Sequence, residues 1–103
     1  MHDLEIRVDI PAEKRREFLV AAADFLERVP DPEIAPRNCE VFERHRFPNH
    51  FLWREEWPDR ATLELRMASS GFRTLIGALR ALGARYEMSV MHVEQRINDQ
   101  ETH

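Results

Sequence analysis

The first ten residues alternate. Leu4, Ile6, Val8 and Ile10 fall on one side of an extended chain and Glu5, Arg7 and Asp9 on the other, the period-two pattern of a strand with one buried face. At Pro11 the period changes, and Phe18, Ala22, Phe25, Leu26 and Val29 recur at helical spacing. Pro11 suits the first turn of that helix, where its missing N–H has no intrahelical partner to lose, with Asp9 or Ile10 near the cap. Pro30, Pro32 and Pro36 stop the helix and leave a loop, VPDPEIAP. NCEVFERH, residues 38–45, reads as a second strand with Cys39 and Val41 on one face, and HRFPNH turns the chain through Pro48-Asn49. HFLWREEW, residues 50–57, is the third strand, with Phe51, Trp53, Glu55 and Trp57 on one face and Leu52, Arg54 and Glu56 on the other.

The alternation ends at Trp57. A short helix starts at Pro58 or Asp59, breaks near Ser-Ser-Gly, and restarts with Ser69 or Ser70 as its N-cap. Phe72, Leu75, Ile76, Leu79 and Leu82 form its apolar stripe, and Gly83 suits the position just past its end. RYEMSVMHVEQRI, residues 85–97, is a last strand with mixed faces. The order strand, helix, strand, strand, split helix, strand predicts an α+β, ferredoxin-like βαββαβ domain, with helices covering one face of a four-stranded antiparallel sheet. Glu5, Arg7, Arg54 and Glu56 then line the uncovered face, beside Leu52 and Phe42. Such a face is either simply wet or the seat of a second copy held by complementary ion pairs.

Composition narrows the setting. At 103 residues the chain is one domain, 1–103, with its core over 4–97. A domain of this size buries a modest share of its surface, so a second copy would help it. The net charge of −4 comes from 19 acids and 15 bases with the signs interspersed, which predicts no nucleic-acid partner. The single cysteine forms no internal disulfide and fits the reducing cytoplasm. No apolar run approaches the roughly 20 residues of a membrane span, and MHDLEIRVDI has neither signal nor transit character. There is no Gly-rich phosphate loop, hence no nucleotide or flavin fingerprint. His45 and His50 flank the hairpin turn without a third ligand near in sequence, so no metal site is expected.

In this order and spacing the chain resembles the antibiotic biosynthesis monooxygenase family of dimeric α+β barrels. Glu55-x-Trp57 at the end of the third strand is similar to the family's Glu-x-Trp. The helical segment with Ser69 and Phe72 resembles its pattern of His, three residues to Ser, three more to Phe. Pro36-x-Asn38-Cys39 resembles its Pro-Gly-small entry to strand two. The resemblance covers Leu4 to about Ile97. It implies a homodimer through the sheet faces and a pocket in each subunit between sheet and helices. It also implies cofactor-independent oxidation of a small aromatic or quinol-like molecule. Arg66 stands where many members carry His, and Trp53 where members that oxidise aromatic polyketides carry Asn. The strand-one Asn of the haem-degrading relatives has no counterpart here. These departures support an alternative, a non-catalytic small-ligand-binding or stress-associated dimeric module of the same fold.

Under the enzymatic reading the catalytic candidates are Arg66 and His92. A guanidinium keeps its proton, so Arg66 can hold an anion but cannot act as a base. An imidazole titrates near working pH, which makes His92 the candidate proton acceptor or, blandly, a surface histidine. Trp53, Glu55, Trp57, Met67 and Phe72 would bind substrate. Each also has a structural reading: the aromatics and Met67 as core, and Glu55, a carboxylate on a buried strand face that must be paired or protonated, as the ion-pair partner of Arg66.

Overall fold

The structure, a computed structural model, describes residues 1–28 and 35–94. Strand β1 (His2–Asp9) leads through a 3₁₀ turn (Ala12–Lys14) into helix α1 (Arg15–Arg28). Strands β2 (Asn38–Glu43) and β3 (His50–Trp57) form a hairpin. Helices α2 (Arg60–Ala68) and α3 (Ser70–Ala81) follow, then strand β4 (Arg85–His92). The sheet order is β2-β3-β1-β4 and every neighbouring pair is antiparallel. This is the ferredoxin-like arrangement the alternation predicted.

The pairing register turns the sequence pattern into layers. Leu4, Ile6 and Val8 lie opposite Glu55, Trp53 and Phe51 on one side and Val90, Met88 and Tyr86 on the other. Directly opposed residues share a face, so this row is the one the helices cover. Phe18 and Ala22 of α1, Leu63 of α2, and Phe72, Leu75 and Leu79 of α3 close over it. The core is dense around β1 and β3 and thins toward the edge strand β4, where Met88 and Val90 stay partly exposed.

Element boundaries differ from the sequence reading where turn chemistry decides them. Pro11 sits at the cap rather than in the first turn, with no side-chain cap bond, and its carbonyl accepts from Lys14 N at 2.8 Å to close the 3₁₀ turn. β2 stops at Glu43, two residues early, because Arg46 and Asn49 take left-handed φ angles of 67° and 69° to turn the hairpin. Asn49 does so readily, since its short amide tolerates this region. Val29, Pro30 and Pro32 and the tail from residue 95 lie outside the described residues, including the last part of the expected fourth strand. The split helix is as expected. Asp59 caps α2 by accepting from Thr62 N at 2.8 Å, and Ser69 caps α3 by accepting from Phe72 N at 3.2 Å. Gly83, at φ 72°, ends the segment. No helix among the described residues is long and apolar enough to cross a membrane.

Candidate functional site

Glu55 is the one acid of β3 on the helix side. It lies opposite Leu4 on β1 and Cys39 on β2, and its exposure is 0%. A bare carboxylate there would cost several kcal/mol or more in lost hydration. Four donors remove that cost. Glu55 Oε1 accepts from Trp57 Nε1 at 3.1 Å and from Arg66 Nε at 3.0 Å. Oε2 accepts from Trp53 Nε1 at 2.9 Å and from Arg66 Nη2 at 2.9 Å. Both indoles of the chain and one guanidinium fork therefore converge on a single carboxylate. The two-pronged Arg–Glu contact is the strong form of a charge-assisted hydrogen bond.

The helix cap fixes where Arg66 comes from. With α2 starting after Asp59, Leu63 and Arg66 fall on its buried face, three residues apart. Ser69 ends the helix by donating both its N–H and its hydroxyl to Arg66 O, at 3.0 and 2.6 Å, and at once caps α3. Arg66 is 7% exposed, and its guanidinium carbon lies 5.6 Å from the centre of the Phe72 ring, a cation–π contact. Its remaining nitrogen, Nη1, has no hydrogen-bond partner among the described residues. It borders a pocket of about 150 Å³ lined by Phe25, Arg28, Arg66, Ser70, Gly71 and Thr74.

Between sheet and helices the space is far smaller. A slot of about 20 Å³, bordered by Ile6, Val8, Phe18, Phe25, Trp53 and Leu79 among others, has an almost wholly apolar wall. That is near the size of one water and too apolar to hold one. Phe25 borders both spaces. The hollow expected between sheet and helices is thus only a nearly closed apolar slot beside Trp53, and the open pocket beside Arg66 is lined by residues of the three helices alone.

The other candidates fall as follows. Trp57 has 0% exposure, Phe72 is buried, and Met67 is half-buried against the core. A ring stacking on Trp57 needs neighbouring side chains to move. His92 is exposed at the end of β4 and faces His2, their ring centres 4.8 Å apart. In register it is two strands from Trp57, about 10 Å. His2 is held below its ordinary pKa, first by burial and then by His92. Cys39 is half-buried beside Glu55, and burial above all pushes its thiol up to about 12, which fits a packing role rather than a nucleophile. His50 pairs with Asp9. Among the described residues no group of three His, Cys, Asp or Glu side chains is arranged to hold a metal ion.

Sequence reasoning did not single out Phe25, Arg28, Gly71 or Thr74. The signal that was available is local: an arginine three residues before a Ser-Ser-Gly helix start brings a cation to a cluster of free N–H groups.

No family model and no curated protein matches the sequence. Solved structures do match the fold. A proposed antibiotic biosynthesis monooxygenase from Deinococcus radiodurans superposes with a TM-score of 0.85 at 19% identity, covering 95% of this chain and 97% of that one. Another antibiotic biosynthesis monooxygenase gives 0.77 at 25% identity over 92% and 100%. SnoaB, a cofactor-independent oxygenase from Streptomyces nogalater, gives 0.68 at 18% identity over 95% and 97%.

Proposed function

From a chain with the fold of the antibiotic biosynthesis monooxygenase family, we propose a cofactor-independent monooxygenase of a small aromatic or quinol-like compound, working as a cytoplasmic homodimer. The observation that carries the reading is the fixed guanidinium: Arg66 is locked by Glu55 on two nitrogens and offers the third to an open pocket. In this chemistry the substrate supplies the electrons. Loss of a proton leaves an electron-rich anion, which reduces O₂ and takes up one oxygen atom, while the other leaves as water. Arg66 steadies the developing anion, and Trp53 walls the apolar part of the site. In this reading Trp57, Met67 and Phe72, which line neither space, meet substrate once neighbouring side chains move. Glu55, with four donors already on it, serves by holding Arg66 and both indoles in place. Glu55 is therefore no free base, and His92, which lines neither space, would act as proton acceptor through intervening water.

The homodimer uses the uncovered sheet face. There Glu5 pairs in register with Arg54, Arg54 Nη2 reaches Glu40 Oε2 at 3.0 Å, and Phe42 and Met91 stand 46% and 40% exposed. Apolar groups ringed by both signs of charge suit a self-complementary contact.

The closed slot of about 20 Å³ favours a second reading, a ligand-binding module without chemistry. Oxygen-electrode measurements separate the two. Metal-stripped protein is expected to consume O₂ with a hydroquinone, and Arg66→Gln, its rate referred to the folded fraction measured by circular dichroism, to lose at least ~10-fold of the rate, about 1.4 kcal/mol of barrier. His92→Gln should flatten the pH–rate profile. No uptake with any quinol, alongside measurable ligand binding, would leave only the module.

A further inference from the structure

We infer that the pocket where α1, α2 and α3 meet binds the oxyanion group, carboxylate or phosphate, of a small organic acid. This deepens the assignment of Arg66 as an anion holder and rests on it, but not on oxygen chemistry. Three kinds of donor meet there. Arg66 Nη1 belongs to a side chain more than nine-tenths buried, and it has no protein partner among the described residues. Ser69 takes the N–H of Phe72 with its hydroxyl and that of Arg73 with its carbonyl. The first N–H groups of α3, those of Ser70 and Gly71, have no carbonyl one turn earlier in the helix. Arg28 contributes a second guanidinium from the end of α1.

Gly71 keeps the pocket open. A Cβ there would lie 3.3 Å from Arg66 Nη1 and 3.9 Å from Ser69 Oγ, in the space where an oxyanion would sit between guanidinium and helix start. Arg66 cannot easily yield, because Glu55 pins its other two nitrogens.

Charge and size set the ligand class. Glu55 balances Arg66, and Asp24 lies 3.1 Å from Arg28 Nε, so the pocket carries little net charge. Attraction comes from aimed donors and the helix end, which select a small oxyanion over a polyanion. At about 150 Å³ the space is below the roughly 300–1,000 Å³ of sites for drug-sized ligands. It therefore takes a head group, with the body of the acid along Phe25.

The test is a titration of ¹⁵N-labelled protein with benzoate, inorganic phosphate and neutral benzamide. Benzoate, phosphate or both are expected to shift the Ser70 and Gly71 amides, with benzamide inert. Which anion acts identifies the source chemistry. Gly71→Ala gains helix propensity while its Cβ crowds Arg66 Nη1 at 3.3 Å; the two effects oppose, so its melt should stay near the parent's while anion affinity falls at least ~10-fold. Arg28→Gln should weaken binding several-fold. Unmoved Ser70 and Gly71 amides, equal shifts with benzamide, or undiminished binding in Gly71→Ala would overturn the proposal. Oxygen uptake on a neutral hydroquinone is scored separately. Anion binding without uptake defeats the oxygenase reading alone, and uptake without anion binding defeats this one alone.

Discussion

Arg54 and Glu55 are chain neighbours, yet β3 turns them to opposite sides of the sheet and into different physical regimes. Arg54 meets Glu40 at 3.0 Å with side-chain exposures of 25% and 35%. Glu55 meets Arg66 at 2.9 Å with exposures of 0% and 9%. The distances barely differ; the surroundings do. Water screens the first pair, and such contacts contribute about 0–1 kcal/mol. The second pair has given up its hydration, so its value depends on every donor and acceptor being matched. Burial, not the contact itself, decides which arginine the fold cannot lose.

The sharpest way to break that contrast is Glu55→Gln. An amide offers one accepting oxygen and a nitrogen that only donates, while four donors point at it. A loss of about 3–5 kcal/mol in urea unfolding is expected, a large part of the 5–15 kcal/mol typical of a domain. Glu55→Leu combined with Arg66→Met should recover part of it, since neither charge is left stranded although both indole N–H groups lose their acceptor. On the other face, Arg54→Ala should cost about 1 kcal/mol or less in dilute protein. The gap should widen with protein concentration as a second copy covers the face; a concentration-independent gap, with a single protomer mass in light scattering, would remove the dimer.

A smaller effect belongs to the hairpin. Glu43 accepts from Arg15 Nη2 at 2.8 Å, and from Arg15 Nη1 and Asn49 N as well. Its side-chain hydrogen bond to Arg15, then that to Asn49, brings its pKa down from 4.5 to about 2. A depressed carboxylate adds stability above its unfolded pKa and loses it as pH falls through the folded value. Acid titration of stability should therefore show a decline between pH 4.5 and about 2 that is absent in Glu43→Gln.

The two faces were legible in the sequence to different degrees. Strict alternation from Phe51 to Trp57 put the four helix-side residues on one surface, and the isolation of Glu55 among aromatics was enough to demand a cation, with Arg66 the nearest. That both indoles would also turn to this carboxylate depends on rotamers, which spacing does not set. The mixed pattern of β4 has its cause at the edge of the sheet, where helices no longer cover Met88 and Val90. The pocket beside Arg66 escaped because its walls come from three helices whose relative placement emerges only from packing. Ser69, read as a restart signal and as part of a family pattern, is the joint that brings two of those walls together.

Both fluorophores of the protein that absorb beyond tyrosine share one acceptor. Whatever tugs on Arg66, from a bound acid to a neighbouring substitution, is transmitted through Glu55 to the polarity felt by each indole. Emission wavelength and lifetime thus give a label-free optical gauge of the site, built into the chain by two hydrogen bonds.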